Sequence, residues 1–399
     1  MAIQGLRHNN NWAADQRPKS WRETILRLYP NGKAPLTGLT AQMKSSAVDD
    51  PEYNWFEKAL PTQRLQVSAN VAIGDTTLAV VDGALALKAG HLLRFEGSTT
   101  NEIVRVASDP TSDTAVSVVR GYSGTSAATL TIASELPYVH VIGSAYEEGS
   151  AAPTGVNYDP AKRYNYLQIF RNTLEMTRTA SKTRLRTGDQ VKEAKREALE
   201  LHSVEMEKAF FWGRRSETTL NGKPIRTTGG VLSFVDSNNV VDNTDGSFNM
   251  VELEGWMKRI FDYGSTEKMA FLGNTALAAI NTCIRKNTSY NIAAGEKEYG
   301  MAVSRLVCPF GTLVLKTHPL FNQLSSTTYN AADSSMVVLD MENVMYRYLS
   351  GDDTRFEKDL QENGLDGMKS GYLSECGLEV HHALTHFYIK GLRTGIADT

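Results

Sequence analysis

The chain has 399 residues, 41% of them hydrophobic and 22% charged, with a formal net charge of −3 at pH 7. These proportions are close to globular norms and exclude bulk disorder, and the length allows two or three domains, or one domain with large excursions. The small net charge excludes a general affinity for nucleic acid or for an anionic membrane.

The cysteines and the apolar runs bear on the cellular compartment. Cys283, Cys308 and Cys376 are odd in number and widely spaced, which favours reduced thiols over a disulfide framework. No apolar run reaches the roughly 18 residues that a membrane helix needs, and the first ten residues lack an apolar signal core. We therefore expect synthesis in a cytoplasm, without export and without a membrane partner.

Residues 1–60 are predicted to form an irregular polar arm with isolated aromatic side chains. A short helix is expected at 20–29, with Ser20 as N-cap and Glu23 at the capping-box position. The arm has too few apolar residues for a core of its own, so its aromatics must insert into this chain or into a neighbour. The aromatic candidates for contact with a neighbour are Trp12, Trp21, Trp55 and Phe56.

Short β-rich runs separated by turn residues follow between about 65 and 143. This spacing predicts a small antiparallel β module of barrel or sandwich type. The predicted strands are 77–81, 91–96, 102–107, 115–120, 129–133 and 138–142.

A long helix is predicted over 189–212, with Asp189 as N-cap and Gly213 as its end. A single extended strand is expected before it, at 163–180. The segments after it mix helices and strands without strict alternation, which favours an α+β class. We predict helices at 251–263 and 275–287, strands at 269–271, 301–307, 312–316 and 336–339, and two final strands within 372–389 on either side of Cys376-Gly377.

No arrangement of residues predicts catalysis. His381, His382 and His386 lack the companion Glu of a zinc-binding helix motif, so we expect no metal there. The run GLDGMKSG at 364–371 misses the phosphate-loop pattern because Met368 separates Gly from Lys. No G-x-S-x-G nucleophile motif is present. We therefore predict no enzyme activity, no cofactor and no metal.

Several segments in this order carry a family resemblance. They are KAPLTGLT at 33–40, DDPEYNWFEKALP at 49–61, YNYLQIF at 164–170, MEKAFFWGRRSE at 206–217, TTGGV at 227–231 and GYLSECGLEVHHALTHFYIKGL at 371–392. Together they resemble the major capsid proteins of tailed phages with the Hong Kong 97 type fold, in a branch with a β module inserted in the extended loop. Each motif is weak alone, and their order along nearly the whole chain carries the resemblance.

The resemblance implies a role for each part of the chain. Residues 1–60 would be the N-terminal arm, 61–180 the extended loop with its inserted module, 181–231 the peripheral domain with the spine helix, 232–350 the axial domain, and 351–399 the return to the peripheral domain. The protein would be a structural subunit that assembles with itself into pentamers and hexamers of an icosahedral head enclosing double-stranded DNA. A portal protein, a separate scaffolding protein and decoration proteins are the other partners it implies.

Charge placement suggests how copies meet. A basic cluster around Arg178, Arg184 and Arg186 and an acidic stretch with Asp352, Asp353 and Glu357 are hypothesised to face each other across subunit contacts. Two solvated surfaces are the simpler interpretation, and non-specific contact of the basic cluster with packaged DNA is a third. The competing functions are a tail-tube or adhesin subunit, and a hydrolase whose site is dispersed along the sequence.

Overall fold

A computed structural model describes residue 39 and residues 43–58, 63–96, 101–129, 138–185, 188–286, 292–298, 301–323 and 332–396, with only the backbone of 292–298 and 301–303. The chain forms two compact units. Met1–Trp55 with Lys162–Thr399 is the larger unit, and Phe56–Ala161 is the smaller. The predicted helix at 20–29 lies outside the described residues.

Strands and helices follow one another along the chain without a repeating order. The strands are β1 Lys44–Val48, β2 Glu52–Glu57, β3 Arg64–Gln66, β4 Thr77–Ala79, β5 His91–Phe95, β6 Ile103–Val106, β7 Ala115–Tyr122, β8 Tyr138–Ser144, β9 Ala161–Tyr166, β10 Gln168–Thr177, β11 Ser216–Leu220, β12 Lys223–Thr227, β13 Val240–Asp242, β14 Ser247–Phe248, β15 Glu267–Leu272, β16 Ile292–Glu298, β17 Met301–Cys308, β18 Gly311–Thr317, β19 Met336–Leu339, β20 Val344–Leu349, β21 Arg355–Glu357, β22 Gly367–Val380, β23 Phe387–Lys390 and β24 Thr394–Gly395. The helices are α1 Arg178–Lys182, α2 Gln190–Trp212, α3 Met250–Ile260, α4 Asn274–Lys286 and α5 Pro319–Gln323.

The smaller unit is a closed barrel of antiparallel strands. Its sheet runs β3-β8-β5-β6-β7-β4, and a bridge between Val67 and Val80 joins the two outer strands. Hydrogen bonds from Ser68 N to Ala79 O (3.0 Å) and from Val81 N to Gln66 O (2.8 Å) complete the closure. Closure removes free strand edges and encloses a core of aliphatic side chains and Phe95. Five of the predicted strands are confirmed; β3 was not predicted, and most of 129–133 lies outside the described residues.

A buried ion pair holds the barrel's loops. Arg120 Nε and Nη2 donate to the two carboxylate oxygens of Glu102 at 2.7 and 2.8 Å, and the backbone N–H groups of Gly121 and Ala128 donate to the same carboxylate at 3.0 Å. Arg120 also donates to the carbonyls of Ala72 and Ala128. Burial raises the pKa of Glu102, but the hydrogen bonds from Arg120 and the backbone outweigh it, so this pKa lies below its ordinary value.

Two layers of sheet meet in the larger unit. One sheet runs β1-β20-β22-β10, with β21 also paired to β22, and the other runs β13-β23-β19-β15-β18-β17-β16. The central strand β15 is buried on both faces: Ala270 and Leu272 pack with α3 and α4, while Met269 and Phe271 pack with Phe211 of α2. That double cover explains why this strand is a continuous apolar run without alternation.

The two signals that were predicted to bound the long helix are confirmed, and a cap that was not predicted begins α3. Asp189 accepts from Val191 N as the N-cap of α2, and Gly213 is its C-cap. Helix α3 begins with a capping box between Asn249 and Glu252. The sequence did not indicate the end of α3, where buried Lys268 donates to the carbonyls of Ile260, Tyr263 and Thr385 at 2.6–2.7 Å. Burial lowers the pKa of Lys268 to about 8.

Two strand predictions were wrong. The single strand over 163–180 is broken at buried Leu167, whose N–H donates to Pro51 O (2.8 Å) where the chain changes partner from β2 to β22, and residues from Arg178 form α1. The predicted break at Cys376-Gly377 lies inside the 14-residue strand β22. Glycine stands there because a Cβ would lie 2.6 Å from Tyr53 Oη and 2.8 Å from Tyr166 O.

The buried ion pair between Glu102 and Arg120 predicts that one substitution of similar size lowers the stability of the barrel. Glu102→Gln leaves the Arg120 guanidinium buried beside a neutral group, and we expect the free energy of unfolding of the barrel to fall by about 3 kcal/mol. Because the pKa of Glu102 is depressed in the folded state, its stabilisation is present above the ordinary value of 4.5 and is lost as the pH falls through the folded value.

Hydrogen exchange of barrel amides in the full chain, measured between pH 3 and 7, checks both points. The control is Glu96→Gln, which removes the exposed partner of Arg64 and should cost less than about 1 kcal/mol. Equal losses of stability in Glu102→Gln and Glu96→Gln would contradict the conclusion that the buried Glu102–Arg120 pair stabilises the barrel.

Candidate assembly surfaces

The spine helix α2 ends against a backbone crossing. Residues 229–230 pass over its last turn so closely that a Cβ on Gly230 would lie 2.7 Å from Ala209 O and 2.8 Å from Phe210 O. Gly230 N donates to Gly213 O at 2.9 Å. The TTGGV segment therefore contains glycine where no side chain fits.

A buried asparagine fixes this crossing to the sheet. Asn165 Nδ2 donates to Leu378 O (2.6 Å), Gly229 O (3.0 Å) and Thr228 Oγ1 (3.2 Å), and its Oδ1 accepts from Gly229 N (2.8 Å) and Tyr166 N (2.9 Å). A fully buried amide with every donor and acceptor used specifies one arrangement of the three segments. Sequence reasoning missed Asn165, since a single asparagine in a strand carries no local signal.

Leu39, in the segment that the sequence predicts to be an arm, is held by a carboxyl group of helix α2. Glu207 Oε1 accepts from Leu39 N (2.5 Å) and from His318 Nε2 (2.9 Å), and all three residues are buried. Because His318 Nδ1 accepts from Leu320 N, its proton sits on Nε2 and points at Glu207. Leu39 itself packs into the core cluster around Phe210 and Phe211.

A histidine ties the middle of the same helix to the sheet. His202 Nδ1 lies 2.8 Å from Asn172 Oδ1, so it donates there, and Nε2 accepts from Ser374 Oγ at 2.7 Å. Burial lowers the pKa of His202, which keeps the imidazole neutral. Helix α2 therefore contacts β10 and β22 through hydrogen bonds as well as through Phe170 and Phe210.

The structure corrects the expectation for Trp55. Its side chain is 8% exposed and packs on Tyr53, Phe234 and His381 of its own chain. Strand β1 likewise pairs in parallel with β20, so residues 43–55 take the alternative of an arm folded on its own domain. Phe56 is 69% exposed, and its contact with a neighbour stays a prediction. Trp12 and Trp21 lie outside the described residues.

The charged segments that were expected to meet across copies come together within one chain. Arg178 Nε lies 2.7 Å from Asp366 Oδ1, and Arg171 Nη2 lies 3.2 Å from Glu357 Oε2. These groups are exposed, so each pair contributes at most about 1 kcal/mol. Arg171 and Arg178 are therefore already paired within the chain, which leaves fewer cations of the basic segment for contact with DNA.

Two of the remaining charged candidates also have a partner within the chain. Asp352 pairs with Arg355, and Asp353 accepts from the Tyr346 hydroxyl at 2.9 Å. Arg184 is exposed and has no ion pair among the described residues, and Arg186 lies outside them. The contact of these residues with a second copy stays a prediction.

The histidines near the C-terminus have structural partners. His381 Nε2 contacts Glu379, which also pairs with Arg347, and His386 Nε2 lies 3.1 Å from the carbonyl of His381. Within the described ranges, no cluster of His, Cys, Asp or Glu has a geometry that would hold a metal ion. None of the helices that the structure describes is both long and apolar enough to cross a membrane.

The crossing at the end of α2 predicts that the effect of a glycine-to-alanine substitution on stability depends strongly on its position. Gly230→Ala forces backbone atoms apart, and we expect the free energy of unfolding to fall by about 2 kcal/mol. Gly255→Ala, on the exposed face of helix α3 with open space around its Cβ, should raise it by about 1 kcal/mol. Denaturant unfolding of both variants is the measurement, and a neutral Gly230→Ala would refute the crossing.

The hydrogen bond from Leu39 N to Glu207 predicts that a change at Glu207 loosens the chain at Leu39. Glu207→Gln places an NH₂ group among donors, so we expect a loss of about 2 kcal/mol and faster proteolysis next to Leu39. The control is Glu205→Gln two residues earlier, on the exposed side, where the amide oxygen keeps the acceptor for Asn172. Limited proteolysis followed by mass spectrometry checks the cut site; the same pattern in both variants would count against the contact.

Known proteins resemble this chain over nearly its whole length. A family model described as SU10 major capsid protein matches residues 3–393. A major capsid protein of Pseudomonas phage PaMx41 is 28% identical over 358 residues, which cover 87% of this chain and 82% of that protein. The capsid of an empty GTA particle computed with C5 symmetry has a similar structure, with a TM-score of 0.51 and 10% identity, over 97% of this chain and 99% of the other.

The family match decides between the functions that the sequence left open. It sets aside the tail-tube, adhesin and hydrolase alternatives, because a single capsid family spans residues 3–393. The structural similarity agrees on the fold across both chains. The chain belongs to the SU10 major capsid protein family, a family of structural subunits of phage capsids and not of enzymes, and its fold is of the Hong Kong 97 type.

Proposed function

We propose that copies of this chain assemble into the pentamers and hexamers of an icosahedral phage head that encloses double-stranded DNA. The observation that carries the proposal is the family match over residues 3–393. The similar capsid computed with C5 symmetry supports a five-fold arrangement of related subunits. Synthesis in the host cytoplasm completes the proposal, and the DNA would be held without sequence preference.

Each part of the chain takes a separate role in this proposal. Residues 1–60 serve as the arm, 61–180 as the extended loop, 181–231 as the spine region of the peripheral domain, 232–350 as the axial domain and 351–399 as the return. The pairing of β2 with β9 supports the loop assignment, because these two strands bracket the residues of the barrel. The barrel is then an insertion in that loop.

Contacts between copies are proposed to use what the chain leaves uncovered. Phe56 offers exposed apolar surface, and Arg184 offers an exposed cation that has no ion pair among the described residues, whereas Trp55 is already buried. Trp12, Trp21 and Arg186 complete the proposed set. Further partners are a portal protein, a separate scaffolding protein and decoration proteins. Stability of the shell then comes from many repeated interfaces of modest strength.

Expression of the full chain, alone and with a scaffolding protein, tests the proposal by negative-stain microscopy. We expect closed shells from the full chain. A variant that lacks residues 1–38 keeps Leu39, so it should still show a cooperative thermal transition but form no shells. A full chain that stays a compact monomer at high concentration under both conditions would overturn the proposal.

A further inference from the structure

A chain of hydrogen bonds runs from the surface to the buried ring of His202 and back to the surface. Thr354 Oγ1 lies 2.8 Å from Ser374 Oγ, and Ser374 Oγ lies 2.7 Å from His202 Nε2. On the other side of the ring, Nδ1 lies 2.8 Å from Asn172 Oδ1, and Asn172 Nδ2 donates to Glu205 at 3.0 Å. His202 and Ser374 are fully buried, whereas Thr354 and Glu205 are exposed. The hydrogen bonds therefore connect a buried titratable group with solution at both ends.

The directions of these hydrogen bonds follow from the orientation of the Asn172 amide. Because Nδ2 donates to the Glu205 carboxylate, Oδ1 faces His202 and accepts the proton of Nδ1. Nε2 of the neutral ring is then an acceptor, so Ser374 donates to it and Thr354 donates to Ser374. In the neutral state both hydroxyl protons thus point toward His202.

One proton from solution reaches the ring by this path without movement of a side chain. Thr354 Oγ1 takes a proton from water and gives its own to Ser374 Oγ, which gives its own to His202 Nε2. Each hydroxyl group breaks one O–H bond and forms another, so both stay neutral and the positive charge rests on the imidazole. Afterwards Nε2–H donates to Ser374 and Ser374 donates to Thr354, while Nδ1–H still donates to Asn172. The charged ring keeps both of its hydrogen bonds.

Charged and titratable groups lie around the ring on three elements. Helix α2 contributes Glu205, which favours the imidazolium, and Lys195, whose Nζ lies 4.8 Å from the centre of the Phe356 ring. Strand β22 contributes the ring of Tyr372, with its centre 6.2 Å from that of the imidazole. The turn before β21 contributes Asp353, which accepts from the backbone N–H of Thr354.

Strand β10 covers the ring with uncharged side chains. Phe170 lies edge-on to the imidazole with ring centres 6.4 Å apart, next to the contact with Asn172. Burial therefore has the larger effect and lowers the pKa of His202 below the ordinary value of 6.5, while Glu205 opposes this. Because the folded pKa is the lower one, the stabilisation by the neutral ring is fully present above pH 6.5 and is lost as the pH falls from 6.5 through the folded value.

We propose that His202 is a proton-binding site of the larger unit, filled from solution through Thr354 and Ser374, and that its charge controls how strongly helix α2 is held on the sheet. The hydrogen-bonded path carries the proposal, because it lets a fully buried ring take up a proton without local unfolding. The ligand is a proton alone, so the site responds to the pH of the medium and needs no partner. The inference goes beyond the proposed assembly and does not depend on it.

Solid-state NMR of the sedimented full chain, with ¹³C,¹⁵N-labelled histidine and serine, tests the site between about pH 4.5 and pH 8. The signal of His202 is assigned by the correlation of Nε2 with the Ser374 side chain. We expect a neutral ring with its proton on Nδ1 at pH 8, and an imidazolium that forms below pH 6.5 while the fold persists. A proton on Nε2 at pH 8, or a ring that stays neutral until the fold is lost, would overturn the proposal.

The variant Thr354→Val tests the path, because it removes the hydroxyl group that accepts the Ser374 proton in the charged state. A buried O–H group without an acceptor disfavours that state, so His202 should bind its proton about tenfold more weakly than in the wild type. Thr354→Ser keeps the hydroxyl group and is the matched control, with an unchanged titration. If Thr354→Val titrates like the wild type, the path through Thr354 is refuted.

Hydrogen exchange measured by mass spectrometry, corrected for the intrinsic effect of pH, tests the consequence for the helix. Amides of α2 near His202 and of β22 near Ser374 should exchange faster as the pH falls, with the same midpoint as the titration of His202. Amides of α4, which is remote in the chain and lies in another core cluster, are the internal control. An equal dependence on pH in α2 and α4 would contradict the effect on helix α2.

Discussion

The close approach of a glycine backbone to the end of the spine helix is the constraint on which the larger unit depends. Gly230 lies where no Cβ fits, and Asn165 bonds the same crossing to the carbonyl of Leu378 in the sheet. Helix, crossing and sheet are thus held by contacts between backbone atoms, which have little room to adjust. A subunit that has to transmit stress across a shell benefits from such a rigid centre.

Buried polar groups extend this rigidity to the arm and to the middle of the helix. Glu207 joins Leu39 and His318, and His202 joins Asn172 and Ser374. Each carries a cost of burial that only complete hydrogen bonding offsets, so the arrangement is specific as well as stable. Leu39 is therefore held at a fixed point on the body of the larger unit.

The surface charges of the larger unit have a different consequence. Arg171 and Arg178 pair with Glu357 and Asp366 inside one chain, and such exposed pairs contribute little to stability. Their effect is that Arg171 and Arg178 are already engaged within one chain. Phe56 is exposed, and its apolar side chain belongs to the proposed contacts between copies.

The sequence by itself determined what local signals encode. Asp189 and Gly213 bound the spine helix, turn residues separate the barrel strands, and the order of motifs indicated the capsid fold. Only the tertiary structure decided that Trp55 is buried, that β22 runs through Gly377, and that Asn165 and Glu207 hold the unit together. The physical reason is distance along the chain: Leu39 and Glu207 are 168 residues apart, and Asn165 and Leu378 are 213 apart, so no local pattern records these partners.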